Sequence, residues 1–483
     1  MLSLIKTVAD LVIASKGSMI VVKQANYQTK LNRDTMNEKM TQEFAGGNRD
    51  RPRKQEDWTT KNLLMAIMWA GVAVTCFSTV SHSLYTDYRK SRPGAAAESL
   101  EKCAWRTLEP HASLLDVAPI GRPEFLARQD ALASALRDAG ADAFVAEPSA
   151  SSEYYANVSS SYSLSERPFL VMVDRAGAFS YLVPWFEAGR VARLDMVHGG
   201  EKTVVEWREE EDPYAVLARA TGYRSVVLDE HARFMIAAGL RAAGVEVRPA
   251  PPAIQTLRAV KTDAEIALLR RINAFTLELV RALQGCIRVG TTTQGAVLAA
   301  SRSLFARAGA DPAGFWALVL FGDEAAYPHG GGGGADRVLQ DGEFVLIDIG
   351  SALHGYCSDV TRTILPRGST VSPELLAVWD TVHAAQSAGL ERMRPGETCA
   401  GADAASRVPV EEAGYGRFYT HRLGHGLGLE VHEHPYLNGA NEEILQVGHV
   451  ASNEPVSIPY SHNQVSACAP PASVGIDINQ FRW

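Results

Sequence analysis

The chain has 483 residues, of which 46% are hydrophobic and 21% charged, and its formal net charge is −8. This composition is typical of a globular protein and excludes a collagen-like, a wholly disordered or a nucleic-acid-coating chain, so we expect no nucleic-acid partner. The length predicts two or three domains, and six scattered cysteines without CxxC spacing predict neither a zinc ribbon nor a dense disulfide scaffold.

The first 85 residues predict a tail followed by a membrane anchor. Residues 1–61 are polar and lack apolar periodicity, which is typical of a disordered N-terminal tail. Residues 62–85 contain no Asp, Glu, Lys or Arg, and we predict a transmembrane helix there, with a buried core helix as the alternative. Basic residues before this segment favour a cytosolic N-terminus, so the predicted location is that of a single-pass membrane protein of the secretory pathway.

The next two segments predict a linker and an α/β domain. Residues 86–117 contain Arg-Pro-Gly and a run of alanines, which is typical of a linker. Residues 118–256 alternate segments of helical period with short apolar runs, and this pattern predicts a domain of the α/β class. The predicted helices are 124–139 and 234–243, and the predicted strands are 143–146, 169–173, 180–183 and 225–228.

A further domain is predicted over residues 257–455. It opens with a capping-box pattern, Thr262 and Glu265, before a long amphipathic helix. Two similar strings, Arg-Val-Gly-Thr-Thr at 288–292 and Arg-Pro-Gly-Glu-Thr at 394–398, recur in the same context after a long helix. Such an echo predicts a duplicated unit.

Two aspartates stand out in the stretch EFVLIDIGSALHGYCSDVTRTI, residues 343–364. Asp348 interrupts an aliphatic run, and Asp359 follows a turn that contains glycine. A hairpin paired about a centre near Leu353 would set the two carboxylates opposite each other on one face. Like charges so close repel unless one is protonated or a cation lies between them. Two solvated hairpin aspartates are the alternative, which the interrupted apolar strand disfavours.

Histidines cluster in the stretch HRLGHGLGLEVHEHP, where four of the 13 in the chain fall: His421, His425, His432 and His434. The glycines beside His425 disfavour the helix that a zincin needs, and they allow close backbone approach to an ion. Farther along, Glu454 ends a strand-like run immediately before a proline.

Together these residues form a candidate ligand set rich in oxygen, with one imidazole: Asp348, Asp359, His425 and Glu454. Such a set suits Mn²⁺, Co²⁺, Fe²⁺ or Zn²⁺ better than it suits a thiolate zinc site. Two such ions would share bridging carboxylates and activate a water for hydrolysis.

The order of these groups resembles the family of aminopeptidase P, prolidase, methionine aminopeptidase and creatinase. The matching features are two aspartates eleven positions apart, a histidine in GHGLG, and Glu-Pro. In addition, LRAVKTDAEIALLR resembles the domain junction of the family, and AYPHGGGGGADRVLQDGEFVLIDIG resembles its approach to the metal site. The resemblance covers roughly residues 118–455, and it implies a creatinase-like N-terminal α/β domain followed by a duplicated pita-bread catalytic domain.

The resemblance also implies roles for single residues. It implies two divalent ions that are held by Asp348, Asp359, His425 and Glu454. Mn²⁺ is the first expectation, and Co²⁺, Zn²⁺ or Fe²⁺ are the alternatives. It implies that His329 helps to hold the substrate, that His432 stabilises or shuttles a proton at the tetrahedral intermediate, and that His421 lines the same pocket. The implied reaction is attack by a metal-bridging hydroxide on the bond before proline, in a peptide with proline at the second position. A homodimer is compatible with the resemblance.

The sequence departs from the family pattern after Pro455. The fifth ligand of the family, a glutamate in a later strand, has no counterpart in the atypical tail of residues 456–483, where Asp477 is the only carboxylate. A misread gene end would explain the abrupt change in composition. Without this ligand at least one metal site should be weakened, so the alternative function is a catalytically inactive pita-bread protein that binds peptides or protein partners. Metal-free, creatinase-like hydrolysis is disfavoured, because that chemistry needs neither Asp348 nor Asp359 as a ligand.

Overall fold

The computed structural model describes residues 98–327, 329–330 and 334–455. The predicted tail, the predicted membrane segment 62–85 and the atypical tail 456–483 lie outside the described residues. No helix within the described ranges combines the length and the apolar character needed to cross a bilayer. The longest of them, Asp263–Cys286, buries one face and carries charged side chains elsewhere. The predicted single-pass membrane location in the secretory pathway is corrected on this finding, and we no longer assign a membrane partner.

The described part of the predicted linker is helical. Helix α1 (Leu100–Leu108) is followed by a 3₁₀ segment, Glu109–Leu115, and buried residues of both contribute to the core of the second domain. A disulfide joins Cys103 in α1 to Cys286, 183 positions later in the chain. The segment therefore packs on the second domain and does not extend as a linker over these residues.

The N-terminal domain contains a six-stranded mixed sheet with the strand order β4-β3-β2-β1-β5-β6. Apolar clusters lie on both faces of the sheet, and this explains why strands β1 to β3 are buried at almost every position. The strands are β1 (Ala143–Ala146), β2 (Leu170–Asp174), β3 (Phe179–Pro184), β4 (Lys202–Trp207), β5 (Ser225–Leu228) and β6 (Glu246–Pro249). The helices are α2 (Arg122–Ala139), α3 (Ala150–Ala156), α4 (Ala188–Val191), α5 (Pro213–Thr221), α6 (Phe234–Ala242) and α7 (Pro252–Ala259).

The second domain is built on a sheet with the strand order β10-β8-β7, in which β9 also pairs with β8, and on a separate pair of strands, β11 and β12. The buried face of its first helix forms one apolar core with the sheet. Its helices are α8 (Asp263–Cys286), α9 (Gln294–Ala308), α10 (Pro373–Arg392) and α11 (Cys399–Glu412). Its strands are β7 (Asp311–Phe321), β8 (Val345–Leu353), β9 (Tyr356–Cys357), β10 (Val360–Ile364), β11 (Gly424–Gly426) and β12 (Glu433–Leu437).

The two echoed strings of the second domain adopt similar local structures. Each contains a glycine with positive φ, Gly290 at 77° and Gly396 at 94°. Each then leads into a helix whose cap is a threonine that accepts a hydrogen bond from the N–H three residues on, Thr293 for α9 and Thr398 for α11. Counted from the glycine of positive φ, the cap lies one residue farther along in the first case than in the second. These matching turns and caps support the predicted duplication.

Candidate metal centre

Strands β8 and β10 form a hairpin that presents both predicted aspartates on one face. The register pairs Asp348 with Thr361, whereas the predicted register pairs it with Asp359, two positions earlier in the chain. The turn is His354–Gly355, and its residues have positive φ values of 51° and 82°, as a two-residue hairpin turn prefers. Because the shift equals one full side-chain period, Asp359 stays on the face of Asp348. The Thr361 hydroxyl donates to Asp348 Oδ1 at 2.6 Å.

Strand β11 brings the predicted imidazole ligand to the same place. A Cβ atom on Gly424 would lie 2.0 Å from the carbonyl oxygen of Ser452, and one on Gly426 would lie 2.2 Å from a carbonyl of β12. Glycine is therefore required on both sides of His425 for the backbones to approach this closely. The Ser452 hydroxyl accepts from the His425 backbone N–H at 3.0 Å and donates to Glu454 Oε1 at 2.6 Å.

The predicted ligands converge. His425 Nε2 lies 2.7 Å from Glu454 Oε1 and 3.4 Å from Asp359 Oδ2. One ligand atom from each of these three residues lies within 4.8 Å of the others. Asp348 lines the same cavity, which has a volume of about 510 Å³. Four residues from three separate segments of the sequence thus line one cavity.

The charges of this cluster fit a divalent cation. Burial raises the pKa of Asp348 to about 7, against an opposing hydrogen bond from Thr361, and the charge of Glu454 adds to the rise. Burial, and then the charges of Asp348 and Glu454, raises the pKa of Asp359 well above its ordinary value. Burial acts to raise the pKa of Glu454 too, but the hydrogen bond and charge of His425 lower it to about 2. Neither Lys nor Arg lines the described cavity, so its carboxylates have no fixed cation there, and an oxygen-rich set with one imidazole suits a divalent ion.

The three histidines predicted to act on the substrate line the same cavity: His329, His421 and His432. The His432 ring lies 4.3 Å from the His425 ring, nearly perpendicular to it. Burial, followed by the charges of His425 and Arg422, lowers the pKa of His432 to about 4. Burial also lowers the pKa of His421, whose Nδ1 lies 2.7 Å from the carbonyl oxygen of Arg422 and must therefore carry the proton.

Other residues at this site were absent from the sequence-based set. Thr361 and Ser452 bond the predicted ligands directly, and the only signal for either in the sequence is proximity to Asp359 or Glu454. Apolar side chains form another part of the cavity wall: Trp316, Leu318, Leu346 and Val431. The fourth clustered histidine, His434, lines separate pockets outside this cavity, and its ring contacts Tyr436 at 5.0 Å.

Comparison with known protein families identifies two matching regions. Residues 267–479 match metallopeptidase family M24, and residues 128–260 match the creatinase/prolidase N-terminal domain. The first match covers all four candidate ligands and the three substrate-directed histidines.

Individual relatives agree with these matches. The chain is 38% identical to an uncharacterized peptidase of Schizosaccharomyces pombe over 349 residues, which cover 70% of this chain and 76% of the relative. Among solved structures, the dipeptidase PepE from Mycobacterium ulcerans is similar with a TM-score of 0.65 and 27% identity, covering 74% of this chain and 93% of that one. The Xaa-Pro dipeptidase from Bacillus anthracis has a TM-score of 0.59 and 25% identity, covering 70% and 91%. This protein therefore belongs to metallopeptidase family M24, with a creatinase/prolidase N-terminal domain and the pita-bread fold.

Proposed function

We propose that this protein hydrolyses the peptide bond before proline, as an Xaa-Pro aminopeptidase or dipeptidase. The observation that supports the proposal most is the convergence of Asp359, His425 and Glu454 within 4.8 Å, in a cavity that three further histidines line. Similarity to the Xaa-Pro dipeptidase from Bacillus anthracis supports the choice of substrate.

Asp348, Asp359, His425 and Glu454 would hold two divalent ions, with Mn²⁺ as our first choice. Such ions, when bound, lower the pKa of a water and polarise a carbonyl group. The protein side contributes preorganisation: Thr361 and Ser452 fix two of the carboxylates through hydrogen bonds of 2.6 Å each.

The histidines supply groups that act on the substrate. His432 is neutral at pH 7 because its pKa is lowered to about 4, so its imidazole can donate or accept a hydrogen bond as the reacting carbonyl becomes tetrahedral. His421 carries its proton on Nδ1, which leaves Nε2 as an acceptor for a substrate N–H. In this proposal His329, which also lines the cavity, orients the peptide.

The shape of the cavity suits a short peptide. Its volume of about 510 Å³ is in the range of small-ligand sites. The apolar side chains of Trp316, Leu318, Leu346 and Val431 would contact the proline ring or the side chain of the residue before it.

Peptide cleavage with defined metal content tests the proposal. The purified protein is stripped of metal, loaded with Mn²⁺, and offered Xaa-Pro and Xaa-Pro-Yaa peptides next to matched peptides with alanine in place of proline. We expect Mn²⁺-dependent release of the first residue from the proline peptides. Metal binding without any cleavage would contradict the proposal and would instead favour a non-catalytic peptide-binding protein. Sedimentation of the same sample checks whether the chain forms a homodimer.

A further inference from the structure

Two cations at the junction between the domains lie outside the candidate ligand set. Arg258 belongs to α7, and Lys261 follows that helix at the point where the chain enters the second domain. Only 1% of the Lys261 side chain and 11% of the Arg258 side chain is exposed. Buried cations need fixed partners, because water does not solvate them.

Both cations bind one buried carboxylate, Glu433. Lys261 Nζ lies 2.6 Å from Glu433 Oε1, and Arg258 Nη2 donates to Glu433 Oε2 at 3.1 Å. The Lys261 ammonium also donates to the Ala259 carbonyl at 3.1 Å. Glu433 opens strand β12 and follows His432, the histidine that we place on the substrate. The pair therefore fixes the backbone next to a residue of the cavity.

The pair packs directly against the loop that joins His425 to His432. A Cβ atom on Gly428 would lie 2.4 Å from Glu433 Oε1 and 2.8 Å from Lys261 Cε, so only glycine allows this contact. The Gly428 carbonyl accepts from the backbone N–H of Cys357 at 2.8 Å. Since Cys357 precedes Asp359 by two positions, this bond connects the loop to the hairpin that carries both aspartates.

The same lysine also contacts the segment that carries the last ligand. Its backbone N–H donates to the Gly448 carbonyl at 2.8 Å, and Val260 forms an isolated bridge with His449. A Cβ atom on Gly448 would lie 2.9 Å from a methyl carbon of Val260. This turn leads within a few residues to Glu454. The junction thus contacts the loop after His425 and the turn before Glu454 directly, and it reaches the hairpin of the two aspartates through the Gly428 carbonyl.

We propose that Lys261 and Glu433 are positioning residues for the metal centre. Their buried ion pair sets the spacing between the loop after His425, the hairpin of Asp348 and Asp359, and the turn before Glu454. The proposal rests on the function proposed above only in that these four side chains hold metal. The predicted effect of breaking the pair is on metal affinity and turnover rate, with substrate affinity little changed.

Two single variants test this role. Lys261→Met keeps an unbranched side chain as far as the ε carbon and removes the ammonium group, and Glu433→Gln keeps the shape and one hydrogen bond to Lys261. We expect each variant to bind Mn²⁺ roughly 10-fold more weakly than the wild type, the lower end of the range for partners that bond a ligand directly, because this pair acts through the segments that carry the ligands. Turnover at subsaturating Mn²⁺ should fall with KM for the peptide changed less than about threefold, since neither residue lines the substrate cavity described above. If Lys261→Met does not fold, Glu433→Gln alone decides the question.

Arg233→Met is the matched control. The Arg233 guanidinium bonds Glu147 at 2.7 Å and the Glu166 carbonyl at 2.8 Å, within the N-terminal domain. We expect this variant to lower Tm and to leave Mn²⁺ affinity within about twofold of the wild type. The proposal is overturned if the Lys261 and Glu433 variants behave in the same way. A wild type that binds Mn²⁺ but cleaves no proline peptide would remove the proposed function, and the Mn²⁺ titrations would still decide whether the pair positions the ligands.

Discussion

Two groups among the described residues each combine two carboxylates with one imidazole. In one group, Glu230, His231 and Glu430 bring a ligand atom each within 4.8 Å, and Asp359, His425 and Glu454 do the same in the other. The His231 side chain is 49% exposed, whereas that of His425 is 2% exposed. The two groups are therefore alike in residue type and in the distances between their ligand atoms, and they differ in their exposure to solvent.

The surroundings decide which group needs a cation. Glu430 is already paired with Arg258 Nη2 at 2.6 Å, and water reaches the other two members of its group. The members of the buried group are largely shielded from solvent and no Lys or Arg lines their described cavity, so their carboxylates repel each other and Asp348. A metal ion would relieve that repulsion in the second group and would have little to relieve in the first. Burial of carboxylates without a compensating cation is therefore a stronger indication of a metal centre than a triad of suitable residue types alone.

The largest expected effect comes from Asp359→Asn. This change keeps the shape and removes one charge from the buried group, where Asp359 Oδ2 lies 3.4 Å from His425 Nε2. We expect Mn²⁺ affinity to fall by more than about 100-fold, since loss of a direct ligand exceeds the loss of an outer partner. An EPR-monitored Mn²⁺ titration measures the affinity, and initial rates on a proline peptide measure the loss of turnover. Turnover within tenfold of the wild type would show that Asp359 is not a ligand.

The second prediction concerns stability on addition of Mn²⁺. A ligand at a hundred times its Kd stabilises the folded state by about 2.7 kcal/mol, and here it also neutralises buried carboxylates. We expect Tm of the metal-free protein to rise by several degrees when Mn²⁺ is added, as followed by circular dichroism. The same addition should leave Asp359→Asn unchanged. An equal rise in both proteins would locate the binding elsewhere, for example at the exposed group.

The third prediction concerns the pH dependence of stability, and it rests on His449, a buried imidazole near the cationic side chain of Lys261. Burial, together with the neighbouring Lys261, lowers the pKa of His449 to about 4, while an unfolded histidine titrates near 6.5. The stability that neutral His449 contributes is therefore present above about pH 6.5 and is lost as the pH falls towards 4. Between these pH values the free energy of unfolding should fall less in His449→Gln than in the wild type, by on the order of 1 to 3 kcal/mol.

Urea titrations at pH 7 and pH 4.5 measure the effect of this change. Equal loss of stability on acidification in the wild type and in His449→Gln would contradict the assignment.

The smallest effect is expected for the exposed group. His231→Gln removes an imidazole that is half exposed and 2.9 Å from Glu430 Oε1. Exposed pairs of this kind contribute little, so the free energy of unfolding should change by less than about 0.5 kcal/mol. Mn²⁺ affinity and turnover should equal those of the wild type. A clear loss of Mn²⁺ binding would instead make this exposed group a second metal site.

Local patterns in the sequence were sufficient for many elements of the fold. The strands predicted at 143–146 and 225–228 are found with the same bounds, since short apolar runs between turn residues have few alternatives. The Thr262 capping box forms as predicted and starts α8. The four candidate ligands were also identifiable, because a carboxylate inside an aliphatic strand and an imidazole between glycines are costly unless they serve a site.

Other features depended on contacts that the sequence does not display. The hairpin register differs from the predicted one because the turn at 354–355 prefers positive φ at both residues, and nothing in the flanking strands opposes a shift of one side-chain period. The helical fold of residues 100–115 depends on packing against the second domain, and composition alone suggested a linker. The disulfide between Cys103 and Cys286 depends on the same packing.

The sequence alone determined which residue types could bind a metal, the order in which they occur and the family pattern they follow. Only the tertiary structure decided that Lys261 and Glu433 meet in the interior, that His434 lines pockets outside the site, and that one of two similar triads is buried. The reason is physical: residue type and local spacing act within a few positions, whereas desolvation and charge compensation arise from segments that are far apart in the chain.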